Sequence, residues 1–325
     1  MEEIKLYDIE NIKIGHAQDE EAATGCTVVL CEKGAPTGVD IRGGGPASRE
    51  TPLLNPLAAC EAIHGVLISG GSAFGLDAAG GVMAYLEERN IGFDVGVTKV
   101  PLVCTSCLFD LQVGRCDVRP NQLMGYAACE AAYNEIPLEG NVGAGMGATV
   151  GKYLGEKHMM KAGIGMYAVA VGELKVGALV AVNALGDVLD ETTGQILAGL
   201  LNEKQDGFLD TEAMFYQQGV GEKKLFTGNT TLGVVITNAK FNKTQMNKIA
   251  AMAQNGLART IRPVHTTADG DSVYAMSVGE VKHDLNVVGS LAATVVAKAI
   301  NRAVLMAQPA YGLKASCDLI KPVYK

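Results

Sequence analysis

The sequence predicts an α+β layered sandwich, on three observations. Short apolar runs punctuated by glycine, such as GVLISGG, AGIGMYAVAVGE and KVGALVAVNALGD, read as buried strands joined by tight turns, and the chain holds 40 glycines in 325 residues. Longer segments with apolar residues at helical spacing lie in both halves. The middle of the chain carries successive strands, which breaks the strict strand-helix alternation of a doubly wound parallel fold.

Taken in order, helical periodicity covers residues 56–64, 74–89, 121–134, 243–259 and 283–307. The last, HDLNVVGSLAATVVAKAINRAVLMA, is rich in Ala and Val over most of its circumference, so it is expected between layers instead of facing water. VPLV at 100–103 reads as a packed strand. Residues 227–239, TGNTTLGVVITNA, contain Leu232, Val234, Val235 and Ile236, the signature of a buried strand, yet the strand starts on Asn-Thr-Thr. It follows a charged, glycine- and amide-rich stretch at 202–227, read as a surface loop with a short helix or as a processing loop, because long irregular insertions are often functional. No internal repeat or low-complexity tract interrupts what reads as one domain over 1–325.

With 48% hydrophobic residues the chain has ample apolar surface for a core, and 19% charged residues with a net charge of -8 argue against nucleic acid and anionic membranes as partners. The start, MEEIKLYDIENIKIGH, lacks a basic, apolar leader, and no later run keeps the uninterrupted apolar length of a membrane helix, so the cytoplasm is the expected location. The eight cysteines are expected reduced and buried.

Several motifs carry less than they promise. Gly143, Gly145 and Ala148 fit a loose dinucleotide pattern, but no helix follows, and no cofactor is expected. Gly151-Lys152 resembles the end of a phosphate loop, with Met146 and Tyr153 at positions that need glycine and a hydroxyl. Cys104 and Cys107 form C-x-x-C, but Cys116 and Cys129 do not repeat the spacing, so small buried hydrophobes are expected and no metal. In RPVHTTADGDSVYAMSVG (262–279), Asp269 and Asp271 flank a glycine before a strand-like run. Taken alone, D-G-D is a common turn; His265 beside it reads as structural or substrate-lining.

Four stretches in this order and at these separations, GGSAFGLDAAGGVMAYLEERNIGF, NVGAGMGATVGK, NTTLGVVITNA and HTTADGD, resemble the self-cleaving L-aminopeptidase/D-esterase family, which includes β-peptidyl aminopeptidases and the nylon-oligomer hydrolase. The resemblance runs from about Gly15 to about Ala307. It implies an N-terminal-nucleophile type of hydrolase on a four-layer α-β-β-α sandwich, cut between Asn229 and Thr230 into chains 1–229 and 230–325 that stay together. It also implies Thr230 as nucleophile, Lys152 as the lysine after the glycine-rich stretch, Asn183 as the oxyanion-stabilising asparagine, and Asp269 and Asp271 as the pair that orients the new terminus. Threonine with two aspartates is closer to the nylon-oligomer hydrolase branch than to the branch using serine with a serine-glutamate pair. VPLVCTSCLFDLQVG departs from the acidic or aromatic patterns of some aminopeptidase members. A homo-oligomer of processed units, commonly four, is implied as well.

The chemistry requires these residue types. A threonine hydroxyl is a weak nucleophile without a base, and an internal threonine has no amine of its own. Cleavage supplies one whose unperturbed pKa of about 7.7 to 8.0 leaves a neutral fraction near pH 7. The expected activity is hydrolysis of short peptides or related amides and esters through an acyl-enzyme on Thr230. The alternatives are a relative without catalysis that serves as a small-molecule binding or structural protein, and, more distantly, a dinucleotide-dependent oxidoreductase.

Overall fold

The computed structural model describes residues 1–217 and 228–320. Eleven strands form two large sheets: β1 (Glu2–Ile4), β2 (Lys13–Asp19), β3 (Thr24–Ala35), β4 (Thr37–Ile41), β5 (Ala47–Arg49), β6 (Ile63–Ser69), β7 (Val103–Cys107), β8 (Ile164–Val171), β9 (Leu174–Asn183), β10 (Thr230–Ala239) and β11 (Ser272–Val281). One sheet has the order β1-β8-β9-β10-β11-β4 and the other β2-β3-β6-β7-β5. The long helices are α1 (Ala78–Glu87), α2 (Gln122–Asn134), α3 (Lys243–Thr260) and α4 (Leu285–Leu305).

The central strands of the six-stranded sheet, β8 to β11, are apolar on both faces, and each face meets a different layer. Leu232, Val234 and Ile236 of β10 pack with Leu179 and Tyr274 against Val29, Val66 and Ile68 of the five-stranded sheet. Val235, with Val176, Val180 and Ala275, packs against Met246, Ile249 and Ala253 of α3 and Val288, Val295 and Val296 of α4. On the outer face of the five-stranded sheet, Val28, Leu30 and Leu67 pack against Val82 and Leu86 of α1 and Ala128 and Cys129 of α2. The result is the expected α-β-β-α sandwich.

Three helices start on side-chain caps. Asn121 Oδ1 accepts from Met124 N at 3.1 Å, Asn242 and Gln245 form a reciprocal capping box at 2.9 and 3.0 Å, and Asp284 Oδ1 accepts from Asn286 N and Val287 N at 2.8 and 3.1 Å. α4 lies in an outer layer, not between layers; its Ala and Val residues other than the exposed Val287 are buried, most of them against the sheet and α3. It is long and apolar enough to cross a membrane by composition, and that apolar character is spent inside the protein. Gly165 on β8 permits the close approach, since a side chain there would run into the backbone of Ala299 and Ala303.

The helix expected over 56–64 is absent. Residues 51–54 form a short 3-10 turn, an Asn55 side chain turns the chain at Leu57 N, and β6 begins at Ile63. The apolar period there has nothing to bury against, for Leu57 is 94% exposed. Lys243 Nζ, buried at the start of α3, holds the loop by donating to the carbonyls of Ala58 and Cys60, both at 2.6 Å. Within the 202–227 stretch a short helix occupies Thr211–Gln217, and residues 218–227 lie outside the described residues.

Candidate active site

Sheet register brings the sequence-predicted residues to one end of the sandwich. β9 pairs antiparallel with β10, with Asn183 opposite Thr230, and β10 runs parallel to β11, with Leu232 beside Ser272. The last residue of β9, the first of β10 and the turn before β11 therefore meet, although they are far apart in the chain.

Thr230 is 4% exposed and its hydroxyl donates to the carbonyl oxygen of Asn229. The same carbonyl accepts from Gly270 N at 2.8 Å. Thr231, the neighbouring hydroxyl, is fully buried, and strand alternation turns it to the other face of the sheet.

Asn183 is fully buried and held at both ends of its amide. Oδ1 accepts from Lys152 Nζ at 2.7 Å and Thr149 N at 3.1 Å; Nδ2 donates to Phe109 O at 2.8 Å and Gly228 O at 3.5 Å. Lys152 is half-buried as a residue, with its amine turned inward onto Asn183 Oδ1, Asn183 O at 3.1 Å and Gly228 O at 3.0 Å. Dehydration lowers its pKa to about 7, against the pull of Asp269, Asp110 and Asp271.

The two aspartates have separate bonding. Asp269 Oδ2 accepts from Thr266 N at 2.8 Å and Thr266 Oγ1 at 2.5 Å, and burial, then the charge of Asp271, raises its pKa to about 6. Asp271 Oδ1 accepts from Thr231 N at 2.7 Å, and Oδ2 from the backbone and ring of His265. Asp269 thus shapes the turn, while Asp271 grips the strand tip one residue beyond Thr230.

Sequence reasoning missed four contributors. Gly270, read as a turn spacer, supplies the N–H on the Asn229 carbonyl. The run Gly43–Gly45 lies against the acidic turn, Gly45 N donating to Asp269 O at 2.8 Å and Gly43 N to Asp271 O at 3.3 Å; RGGGP was the available signal. Asp110, buried, accepts from Thr24 Oγ1 and Gly71 N, both at 2.7 Å, next to the Phe109 carbonyl that orients Asn183. Lys161, also fully buried, donates to the carbonyls of Gly145, Ala148 and Ala162 at 2.9, 3.1 and 2.5 Å, bracing the chain that leads to Thr149 and Lys152.

Dehydration lowers the Lys161 pKa to about 7. An unfolded lysine is protonated up to its ordinary pKa of about 10.4, so between pH 7 and 9 the unfolded chain binds the extra proton and the folded chain loses stability as pH falls. The stability difference between wild type and Lys161→Met should therefore move in favour of wild type from pH 7 to pH 9, by up to about 1.4 kcal/mol per unit. Urea titrations of both proteins at the two pH values read it; no pH dependence in that difference would mean that the three carbonyls hold the amine as an ammonium, with one N–H for each.

Cys104 and Cys107 lie buried along β7, and Cys104 Sγ donates to Glu50 O at 3.3 Å. Among the described residues no cluster of three or more His, Cys, Asp or Glu forms a metal site.

A family model described as peptidase family S58 matches residues 5–317. The chain belongs to that family. As an S58 peptidase it is a hydrolase of amide bonds. It is 37% identical over 347 residues to an uncharacterized aminopeptidase of Mycobacterium leprae (strain TN), covering 97% of this chain and 93% of the relative. It is 30% identical over 283 residues to a 6-aminohexanoate-oligomer endohydrolase of Agromyces sp. (strain KY5R), covering 86% and 76%. In fold, this S58 peptidase is similar to the L-aminopeptidase D-Ala-esterase/amidase of Ochrobactrum anthropi, described as a variant of the Ntn hydrolase fold (TM-score 0.66, 17% identity, 93% and 86% covered). It is also similar to a Burkholderia sp. beta-aminopeptidase (TM-score 0.64, 18% identity, 93% and 86% covered).

Proposed function

We propose that the chain cuts itself between Asn229 and Thr230 and that Thr230, freed as an N-terminal residue, hydrolyses short peptides or related amides and esters. The observation that carries this reading is the scissile carbonyl: the Asn229 oxygen takes a hydrogen bond from Thr230 Oγ1 on one side and from Gly270 N on the other. A nucleophile and a backbone donor thus already converge on one carbonyl, as acyl transfer requires.

In the first step Thr230 Oγ1 attacks the Asn229 carbonyl carbon, and Gly270 N–H stabilises the oxyanion. The C–N bond breaks, the proton given up by the Thr230 hydroxyl ends on the Thr230 nitrogen, and an ester joins Asn229 to Oγ1. Water opens the ester, leaving a carboxylate on Asn229 and a free amine on Thr230. In the cut enzyme that amine is the base for its own hydroxyl. Lys152, with its pKa near 7, places an amine beside Gly228 and keeps a second positive charge on the new terminus unfavourable at neutral pH. The aspartates act oppositely, accepting from the new amine.

Asn183 donates to the oxyanion of the substrate in this reading, with Lys152 and Thr149 fixing which end of the amide is the donor. Asn183→Ala should lower turnover by about 10²- to 10³-fold with the fold retained. Undiminished turnover would remove Asn183 from the mechanism.

The substrate class in this reading is drawn from the relatives' names, an aminopeptidase and a 6-aminohexanoate-oligomer endohydrolase, both of which denote hydrolysis of amide bonds. The reading further includes a homo-oligomer of cut chains in the cytoplasm; exposed Val97 (93%) and Leu123 (81%) are apolar surface that association would cover. Mass spectrometry of freshly purified protein tests the central claim: it should give two chains, the smaller beginning Thr-Thr-Leu. A single uncut chain that hydrolyses amides would sink it.

A further inference from the structure

We propose that His265 is a positioning residue of this hydrolase, acting through Asp271 on the strand tip that carries the nucleophile. The inference rests on the reading of Thr230 given above. Asp271 is 1% exposed, and its two oxygens are divided. Oδ2 accepts from His265 Nδ1 at 2.9 Å and from His265 N at 3.2 Å, while Oδ1 accepts from Thr231 N at 2.7 Å. The chain of contacts His265–Asp271–Thr231 ends on the amide bonded directly to Thr230.

Thr230 becomes a chain end when the Asn229 bond breaks, and it loses the covalent hold on its N-terminal side. From then on, the direction of its hydroxyl depends on the grip on Thr231 and on the pairing with Asn183. A carboxylate with one oxygen pinned by two donors cannot rotate away from Thr231 N. His265 supplies both donors, and it does so from an unusual backbone position, with φ of 58° in the left-handed region. That conformation turns its backbone N–H and its ring toward the same oxygen. Residues outside glycine are uncommon there, and Asn, Asp and His are the tolerated exceptions.

The two sources of the effect, backbone conformation and ring donor, are separable. His265→Asn keeps tolerance of the left-handed backbone and offers a side-chain N–H near the place of Nδ1. His265→Gly keeps the backbone freely and removes the side-chain donor. Self-cleavage is followed by mass spectrometry, and kcat and KM are then measured per cut chain, with thermal melts recorded for each variant.

His265→Asn should cut within a few-fold of wild type. His265→Gly should cut, and turn over, about tenfold to a hundredfold more slowly at unchanged KM, the usual cost of unmaking a hydrogen bond to a charged group. Added imidazole should recover part of that loss. Rates for the Gly and Asn variants that both match wild type would overturn the proposal, because only the backbone conformation, which both keep, would then matter; so would a Gly variant with wild-type kcat. A wild-type protein that cuts normally while these variants are indistinguishable from it removes His265 alone and leaves Thr230 in place.

Discussion

Thr230→Ala should remain one chain of 325 residues and hydrolyse no amide. The substitution removes the only atom that can form the ester with Asn229, so neither self-cleavage nor acyl-enzyme formation has a route. Losing a nucleophile of this kind costs on the order of 10⁶-fold in turnover in a well-studied serine protease. The fold should survive, because the pairing of Thr230 with Asn183 is backbone to backbone and the methyl group of alanine fits where Cβ already is. The hydroxyl contributes a single hydrogen bond, worth about 1 kcal/mol. Thr230→Ser keeps the oxygen and should still cut. Denaturing gels, intact mass and an amidase assay read all three proteins. A Thr230→Ala chain found cut after Asn229 would assign the attack to another group, and Thr231, turned to the opposite face, would be a poor substitute.

What could be read beforehand divides along physical lines. Apolar runs closed by glycine, as in β6, β8 and β9, announce strands because both faces are buried and the turns need special backbone. α3 and α4 carry their start signals in Asn242, Gln245 and Asp284, so their limits fall within two residues of the expected ones. The segment 56–64 misled because helical spacing describes local order and says nothing of what lies opposite; there Lys243, nearly two hundred positions away, captures the loop carbonyls. At the site, Thr230, Asn183, Lys152, Asp269 and Asp271 were named through resemblance, not through spacing. Their meeting depends on sheet register, which no local pattern encodes. Gly270 and His265 were visible as letters, but the directions of an N–H and of an imidazole ring are properties of the folded turn.

A single methyl group on Gly270 should slow self-cleavage by up to about a hundredfold. Gly270 is not in the left-handed region, so alanine is conformationally admissible and only space decides. A Cβ there would lie 2.6 Å from Thr230 Oγ1, 2.9 Å from Gly45 O and 3.4 Å from Pro46 Cα, and real Cβ atoms keep at least 3.0 Å. Two ways out exist. Thr230 can rotate, but a β-branched side chain has few rotamers, and any other one takes the hydroxyl off the Asn229 carbonyl. Alternatively the turn backs away, which draws Gly270 N off the same carbonyl and strains the contacts of Asp269 and Asp271 with Gly45 and Gly43. Either path misplaces a reacting group by several tenths of an ångström or more, and misplacement of about 1 Å costs roughly 10²-fold in rate. The added bulk should also lower stability by about 1–3 kcal/mol, leaving a folded protein in which the slow cut can be timed. Half-times of chain conversion for Gly270→Ala and wild type, with melting curves beside them, make the comparison. Conversion within about threefold of wild type would mean that the uncut arrangement relaxes before it reacts, and that the tight contact at Gly270 does not govern the attack.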